Sequence, residues 1–315
     1  MSESTHTLRL GTRGSLLAKT QSQLIASELE KRHKGLVVEL VIIKTSADQI
    51  QDKPLHEFGG KGLFTKELEQ ALLKNEVDLA VHSFKDVPVT QPLVDTNDLI
   101  VAAVPEREDP RDVLICATAK TIKDLPQGAK VGTGSQRRKS QLLAARPDLK
   151  VEQLRGNIDT RLKKLHDGEY DAIILAAAGL RRTGLFNEGE MTMLDPDEML
   201  PAPGQGALAL QCRRNDDKTR DLLEALDDPA TQMAVTTERV IVAALEGDCH
   251  SPIAALAQKQ GEDEIILRTA IGARGGGLPV IKAQAICDCE QCDQAVQSVL
   301  KSLTEQGVRK LLASR

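Results

Sequence analysis

A hydroxyl, a cation and a carboxylate stand close together in the sequence at Ser83, Lys85 and Asp86. They follow the apolar residues 79–81, a run that is typical of a buried strand. Open α/β sheets bind their ligands at the carboxyl ends of strands, so this segment of polar and charged groups is a candidate ligand site. The alternative interpretation is a solvated surface turn that Pro88 closes.

Two short turns could bind anions. Gly-Thr-Arg-Gly-Ser at residues 11–15 and Gly-Thr-Gly-Ser at residues 132–135 each lie between an apolar run and a helical pattern. Such turns expose backbone N–H groups and point a helix N-terminus at the ligand, which favours negative charge. Neither turn has the spacing of a Walker loop or of a dinucleotide-binding turn, so neither of those nucleotide sites is indicated.

Arginine is concentrated around these turns, above all around the second one. A guanidinium group binds a carboxylate or phosphate with two hydrogen bonds, so several converging arginines predict a polyanionic ligand. An ordinary basic helix face is the alternative, and helical periodicity favours it for Lys139 and Arg181. The candidate anion-binding arginines are Arg13, Arg137, Arg138, Arg155, Arg161 and Arg182.

Residues 56–64 form a glycine-rich segment with a cation at Lys61 and an aromatic ring at Phe64. This composition is typical of a mobile lid, in which Lys61 would supply charge and Phe64 a stacking face. A plain surface turn fits the same composition. The residues alone leave both alternatives open.

Six cysteines are scattered through the chain, and free thiols are expected rather than disulfides. Cys249 lies in a tight loop between an acidic residue and a histidine, so it could be either a small buried apolar residue or an exposed nucleophile. Cys287, Cys289 and Cys292 form a cluster, but the cluster lacks the second pair that a zinc finger requires. No metal site is therefore expected.

Bulk composition limits the class of protein. With 315 residues, of which 41% are hydrophobic and 28% charged, the chain is globular and long enough for two or three domains. A balance of 41 basic against 46 acidic residues argues against a protein that coats nucleic acid. The longest apolar run, near residues 172–180, is too short for a membrane span, and residues 1–7 lack a signal-peptide core. We therefore expect a cytoplasmic protein.

The scaffold that must position these groups is predicted to be α/β. Short apolar runs alternate with amphipathic stretches, a rhythm that predicts parallel-rich sheets with crossover helices. Breaks at residues 105–110 and 200–206 bracket one block, so we expect the chain to cross between two lobes twice. Asp228-Pro229 is typical of a helix start and opens a smaller α+β domain. The expected domains are 1–104 with 203–222, then 105–202, then 223–315. Predicted helices include 135–146, 158–167, 177–182 and 229–245, and predicted strands include 253–257, 264–269 and 278–285.

Seven segments, in order over nearly the whole chain, resemble the porphobilinogen deaminase (hydroxymethylbilane synthase) family. They are Gly-Thr-Arg-Gly-Ser at 11–15, Gly-Gly-Lys-Gly-Leu-Phe at 59–64, Val-His-Ser-Phe-Lys-Asp-Val-Pro at 81–88, Gly-Thr-Gly-Ser-Gln-Arg-Arg at 132–138, Arg-Gly-Asn-Ile-Asp-Thr-Arg at 155–161, Leu-Pro-Ala-Pro-Gly-Gln-Gly-Ala-Leu at 200–208 and Glu-Gly-Asp-Cys at 246–249. Together these motifs are highly specific. In one departure, Asp248 precedes the cysteine where the family often has glycine.

The resemblance implies an α/β fold with two periplasmic-binding-protein-like (type II) lobes with parallel-rich sheets and a smaller α+β C-terminal domain. It implies a dipyrromethane cofactor joined by a thioether to Cys249. The implied enzyme is a transferase that joins four porphobilinogen molecules head to tail, loses ammonia at each addition and releases hydroxymethylbilane for tetrapyrrole (haem and chlorophyll) biosynthesis. It would be a cytoplasmic monomer that binds neither nucleic acid nor membrane and passes its product to uroporphyrinogen III synthase.

The resemblance also implies roles for single residues. Each pyrrole carries an acetate and a propionate, so a growing chain is a polyanion that arginines and hydroxyls can bind. Positive charge develops on the ring nitrogens, and Asp86 is the expected catalytic carboxylate that stabilises it. The expected substrate- and cofactor-binding residues are Arg13, Ser15, Gln21, Lys61, Phe64, Ser83, Lys85, Thr133, Ser135, Arg137, Arg138, Arg155, Gly156, Arg161, Arg182 and Gln205.

Two other classes of function fit parts of the sequence. A two-lobed binding module for a small organic anion would explain the paired turns and the arginines, but it would not explain Cys249 or the aromatic loop. Nucleic-acid binding through the basic residues 137–139 is disfavoured by the acidic net charge and the scarcity of aromatic residues.

Overall fold

A computed structural model describes residues 6–45, 65–89, 98–248, 250–261 and 263–313. The chain divides into two compact units, Met1–Glu108 with Ala207–Gln232 and Asp109–Gly206 with Met233–Arg315. The division into three domains that the sequence suggested stays a prediction. Lys61, Phe64 and Cys249 lie outside the described residues, so what was expected of them also stays a prediction.

Strands and helices alternate through most of the described chain. The strands are β1 (His6–Thr12), β2 (Leu36–Ile42), β3 (Leu79–Ser83), β4 (Leu99–Ala103), β5 (Asp112–Ile115), β6 (Lys130–Gly132), β7 (Lys150–Glu152), β8 (Ala172–Ala176), β9 (Met191–Met193), β10 (Leu208–Arg213), β11 (Ile253–Gln260), β12 (Glu264–Ala273) and β13 (Gly277–Asp288). The helices are α1 (Leu16–Arg32), α2 (Lys66–Leu73), α3 (Gln136–Ala145), α4 (Ile158–His166), α5 (Ala177–Arg182), α6 (Asp217–Glu224), α7 (Pro229–Ala244), α8 (Cys292–Glu305) and α9 (Val308–Ala313). The predicted helices α3, α4, α5 and α7 are confirmed to within one residue at each end.

Capping side chains fix where the helices begin. Ser15, Ser135 and Asp216 each accept a hydrogen bond from the backbone N–H three residues later, which caps α1, α3 and α6. Asp228 accepts from the N–H of Thr231 at 2.7 Å and caps α7 in the same way. The caps of α1 and α3 place two helix N-termini a few residues after the ends of β1 and β6.

The sheet of the first unit has the strand order β2-β1-β3-β10-β4. β1 is parallel to β2 and β3, whereas β10 is antiparallel to β3 and β4. Leu8 and Leu10 of β1 pack with Leu29 of α1 in a buried core, and each such leucine contributes about 2 kcal/mol through burial. A Cβ at Gly11 would lie 3.1 Å from side-chain atoms of Leu68 and Val77, so glycine permits this close packing of β1.

The first sheet of the second unit repeats this arrangement, with the order β7-β6-β8-β5-β9. β6 is parallel to β7 and β8, and β5 is antiparallel to β8 and β9. The two similar turns found in the sequence therefore follow corresponding strands, β1 and β6. The apolar runs at 113–116 and 207–212 predict strands, and β5 and β10 confirm them. Their antiparallel direction was not predicted, because a short apolar run reads the same in either direction.

The remaining sheet is an antiparallel meander of β11, β12 and β13. Helix α8 packs against β12 and β13, and α3 contacts the same two strands. The predicted fold class is confirmed: two parallel-rich α/β sheets and a smaller α+β part at the C-terminus. Within the described ranges, every helix is too short or too polar to span a lipid bilayer.

Candidate functional site

The carboxyl edge of the first sheet gathers two of the predicted motifs. β1 and β3 are adjacent and parallel, with Leu10 opposite Leu79. The chain therefore leaves both strands at the same edge, where β1 leads to residues 13–15 and β3 leads to residues 84–86. This edge is where α/β sheets commonly bind ligands.

Side-chain hydrogen bonds connect this edge to helix α1. Gln21, which is buried on α1, donates from Nε2 to Ser83 Oγ at 3.1 Å, and the Ser83 hydroxyl lies 3.3 Å from Gln21 Oε1. Ser15 Oγ accepts from the N–H of Ala18 at 3.3 Å. Gln21 and Ser83, two of the predicted site residues, are thus hydrogen-bonded to each other, and Ser15 caps α1. Their role in binding a ligand stays a prediction.

Lys85 and Asp86 belong to a 3-10 turn that begins at Phe84. The Phe84 ring is buried, and its backbone N–H donates to Ala207 O at 3.0 Å. The N–H of Val87 returns to Phe84 O at 3.1 Å, which closes the turn. Phe84 is therefore an anchor in the core, and it holds the half-buried Lys85 and Asp86 at the sheet edge.

Three buried polar side chains, His82, Gln211 and Glu69, are connected by hydrogen bonds next to this turn. The sequence did not predict this network. His82 Nε2 lies 2.9 Å from Gln211 Oε1, and Gln211 Nε2 donates to Glu69 Oε1 at 3.2 Å. Burial, together with the positive charge of Arg13, lowers the pKa of His82 to about 4 despite its bond to Gln211. His82 is therefore neutral at pH 7 and adds no positive charge near Asp86.

The second unit has a corresponding edge after β6. Thr133 is buried, and its Oγ1 accepts from the backbone N–H of Ser135 at 3.2 Å. Ser135 Oγ in turn accepts from the N–H of Arg138 at 3.5 Å and caps α3. Both hydroxyls thus lie beside the N-terminus of a ten-residue helix, where negative charge is favoured.

Arg137 and Arg138 have an internal partner that the sequence did not suggest, Asp112 on β5. Arg137 Nη1 donates to Asp112 Oδ2 at 2.7 Å, while Arg138 donates from Nε and Nη2 to Oδ1 at 3.1 and 2.7 Å. Gln205 Nε2 also donates to Oδ1, at 2.8 Å. Burial alone would raise the pKa of Asp112, but the two guanidinium charges outweigh it and hold that pKa well below its usual range.

This buried cluster keeps a positive charge, because two guanidinium cations face one carboxylate. Arg137 also donates to the carbonyl of Leu200, and Arg138 donates to the carbonyl of Ile174. The side chains of Arg137, Arg138 and Gln205 are thus engaged in hydrogen bonds within the protein. The structure brings these three predicted site residues together around Asp112, at the first turn of α3.

The other predicted residues of the second unit follow β7 and β8. Arg155 and Gly156 come after β7, and Gly156 has a φ of +107° that only glycine adopts readily. Arg161 Nε donates to Gly156 O at 2.7 Å, and Arg182 Nη2 donates to Gly206 O at 2.7 Å. Because β6, β7 and β8 are parallel, residues 133–135 and 155–156 lie at one edge of this sheet.

The loop that contains Cys249 is described on either side of that residue. Asp248 Oδ1 accepts from the N–H of His250 at 3.0 Å and from the hydroxyl of Ser251 at 2.9 Å. Asp248 does not have a positive φ, so aspartate fills the usual glycine position here without backbone strain. In the described part of the chain, no group of three His, Cys, Asp or Glu side chains could hold a metal ion.

Comparisons with known proteins agree over almost the full length. The family described as "Porphobilinogen deaminase, dipyromethane cofactor binding domain" matches residues 8–221, and "Porphobilinogen deaminase, C-terminal domain" matches residues 232–305. A porphobilinogen deaminase of Syntrophobacter fumaroxidans is 45% identical over 97% of this chain and 96% of its own length. Another, of Xanthomonas campestris pv. campestris, is 46% identical over 98% of this chain and 99% of its own.

Among solved structures, that of the methionine binding protein MetQ is similar with a TM-score of 0.45, at 11% identity, over 74% of this chain and 94% of that one. The family matches cover far more than half of the chain, and the two curated relatives span it almost completely. The chain therefore belongs to the porphobilinogen deaminase family, a family of transferases of tetrapyrrole biosynthesis, and it carries that family's dipyrromethane-cofactor-binding domain.

Proposed function

We propose that the carboxyl edge of the first sheet is the catalytic edge of a hydroxymethylbilane synthase, with Asp86 as its catalytic carboxylate. The observation that carries this proposal is the shared edge of β1 and β3, which places residues 84–86 beside residues 13–15. The 3-10 turn holds Asp86 half-buried, next to a cation at Lys85. A carboxylate so placed can stabilise positive charge that develops on pyrrole nitrogens and can exchange protons with them.

The donor set suits a polyanionic group such as dipyrromethane, which carries acetate and propionate side chains. Ser15 and Ser135 lie at helix N-termini. Arg13 follows β1 in the first sheet, and Arg155 follows β7 in the corresponding sheet of the second unit. In this proposal the first unit binds pyrrole carboxylates with Arg13, Ser15, Ser83 and Lys85, and the second unit binds them with Thr133, Ser135, Arg155, Arg161 and Arg182.

Arg137 and Arg138 act in a different way in this proposal. Asp112 fixes both guanidinium groups in the protein interior, and the net charge of +1 that remains lies at the N-terminal turn of α3. That charge attracts a carboxylate bound by Thr133 and Ser135. The two arginines thus contribute an electrostatic field. Gln205 donates a hydrogen bond to the Asp112 carboxylate and so holds it in the orientation that binds both arginines.

Cys249 is the proposed attachment point of the cofactor, through a thioether. When bound, the dipyrromethane supplies the pyrrole carbon to which the first porphobilinogen is joined. The motif Glu-Gly-Asp-Cys at 246–249 and the family domain support this assignment. We further propose that Lys61 and Phe64 contact the substrate, that Gln21 holds Ser83 in place, and that Gly156 lets the backbone approach the ligand.

The remaining finer assignments also belong to this proposal. The chain acts as a cytoplasmic monomer, binds no nucleic acid, and passes hydroxymethylbilane to uroporphyrinogen III synthase. The near balance of acidic and basic residues supports the absence of a nucleic-acid partner.

Replacing Asp86 tests the catalytic assignment. Asp86→Asn keeps the size of the side chain but removes its charge, so product formation from porphobilinogen should fall by about 10²–10⁴-fold. The intact mass should show that the variant still carries its cofactor. Glu188→Gln, which removes an exposed carboxylate, is the matched control and should turn over normally. Turnover of Asp86→Asn within about tenfold of the unmodified enzyme would refute the assignment.

A further inference from the structure

Three free thiols meet where β13 ends and α8 begins. Cys287 is on β13, Cys289 is in the connecting 3-10 turn, and Cys292 is the first residue of α8. All three are half-buried, whereas Cys116 and Cys212 are buried in the protein core. None of the three is used by the proposed reaction.

Two of these thiols are close neighbours. Cys287 lies on the partly buried face of β13, together with Ala283 and Ala285, and α8 packs against this strand. Cys292 opens this helix, so the thiols of Cys287 and Cys292 are close enough to interact, and the backbone N–H of Ala295 in the first turns of α8 also lies near the Cys287 sulfur. Both sulfurs therefore lie together at the N-terminal end of this helix.

Cys289 has a different role in this arrangement. It provides its backbone carbonyl, which accepts a hydrogen bond from Cys292 Sγ at 3.3 Å, and its own N–H donates to Asp263 O at 2.8 Å. These bonds fix the turn between β13 and α8, so the contact between Cys287 and Cys292 is part of a defined connection. The described residues include no cluster at this place that could bind a metal.

We propose that Cys287 and Cys292 are a reversible dithiol–disulfide pair that reacts with small disulfides of the glutathione type, with Cys289 left as a thiol. The Cys292 thiolate attacks one sulfur of the oxidised thiol RSSR, forms a mixed disulfide and releases RS⁻. Cys287 loses its proton to solvent and attacks the Cys292 sulfur, which forms the internal disulfide and releases the second RS⁻. Two protein thiols are oxidised, and one RSSR is reduced to two RSH.

The order of attack follows from the surroundings of Cys287. Burial, and then the neighbouring Cys292 thiol, raise the pKa of Cys287, so little of it is thiolate at neutral pH. Cys287 is therefore the resolving thiol, which acts only after the mixed disulfide has brought an activated sulfur into contact with it. The product would tie the end of β13 covalently to the start of α8.

A single peptide makes this proposal easy to test. Cleavage after Lys282 and Lys301 gives a fragment of residues 283–301 that contains all three cysteines and no other. The complete enzyme is incubated with glutathione disulfide, alkylated and digested with trypsin. The expected fragment has lost two hydrogens and carries one alkyl group, which fragmentation places on Cys289. Reduction before alkylation should restore three alkyl groups.

Variants separate this pair from the other pairings. Cys289→Ser should still form the bridge, and Cys292→Ser should retain only free thiols or glutathione adducts in this fragment. An alkyl group on Cys287 or Cys292 in the bridged fragment would overturn the proposal. So would a fragment with three alkyl groups, or with glutathione adducts only, after the same incubation with excess glutathione disulfide. The readout does not depend on activity, so it is independent of the proposed catalytic role of Asp86.

Discussion

Asp112→Asn is the sharpest test of how the second unit holds its arginines. Asp112 has no exposed surface, and its carboxylate accepts three hydrogen bonds from Arg137 and Arg138 and one from Gln205. Asparagine has the same shape but no charge, and its NH₂ group would point at a guanidinium. The variant therefore leaves two buried cations without a counterion.

The expected loss can be worked out from burial. Arg137 and Arg138 are only 3% and 5% exposed, so water cannot replace the missing charge. Removing one partner of a buried ion pair typically costs about 3–5 kcal/mol. The asparagine oxygen can still accept some of the four bonds, which favours the lower value. With an m-value of about 3 kcal/mol per molar urea, the unfolding midpoint of this unit should fall by about 1 M.

Urea unfolding at pH 7, followed by circular dichroism, measures this shift. The matched control is Asp167→Asn, which removes the carboxylate of the exposed pair Lys163–Asp167 and should leave the midpoint unchanged. A midpoint for Asp112→Asn equal to that of the control would refute the view that the buried cluster stabilises the unit. The pKa of Asp112 is held low in the folded state, so its stabilisation is present at pH 7 and is lost as the pH falls below about 4. The unmodified protein and Asp112→Asn should therefore become alike in acid.

Two further predictions concern His82 and Gly156. The pKa of His82 is about 4 when folded and about 6.5 when unfolded, so neutral His82 supports stability above pH 6.5 and this support is lost between pH 6.5 and 4. His82→Gln should remove about 3 kcal/mol of the pH dependence over this range, and an unchanged urea-midpoint profile would contradict the burial argument. Gly156→Ala would place a Cβ 2.7 Å from Thr160 at a φ of +107°, whereas Gly168→Ala, at a φ of +78°, has nothing within 4 Å. Backbone strain should lower the free energy of unfolding by roughly 1 kcal/mol in both variants. Gly156→Ala should lower it further because of the clash with Thr160. Equal urea midpoints for the two variants would contradict the packing argument.

Local patterns predicted elements well where one residue type gave a clear physical signal. Helix α7 begins where Asp228 accepts from Thr231 N–H and a proline follows the cap, as the sequence suggested. The two similar turns at 11–15 and 132–135 follow corresponding strands, β1 and β6, of two similar sheets. By contrast, the short strand β9 and helix α6 were not predicted. β9 has only three residues, and its pairing with β5 is long-range, so no local pattern marks it.

The types of residues in the candidate site were predictable, but their partners were not. Arg137 and Arg138 were expected to meet a ligand, and the structure pairs them with Asp112, which no sequence motif singled out. His82 and Gln211 are 129 residues apart, so no local pattern could reveal their hydrogen bond. Such partners depend on how β5 and β10 insert antiparallel into the sheets, which an apolar run does not specify.

The most direct test of the central claim is the intact mass of the purified protein. The unmodified chain, produced in cells that make porphobilinogen, should be heavier than its sequence by one dipyrromethane group. Cys249→Ser should have the mass of its sequence and form no hydroxymethylbilane. An active unmodified protein at its bare sequence mass, or a Cys249→Ser variant that still carries the added mass, would contradict the account.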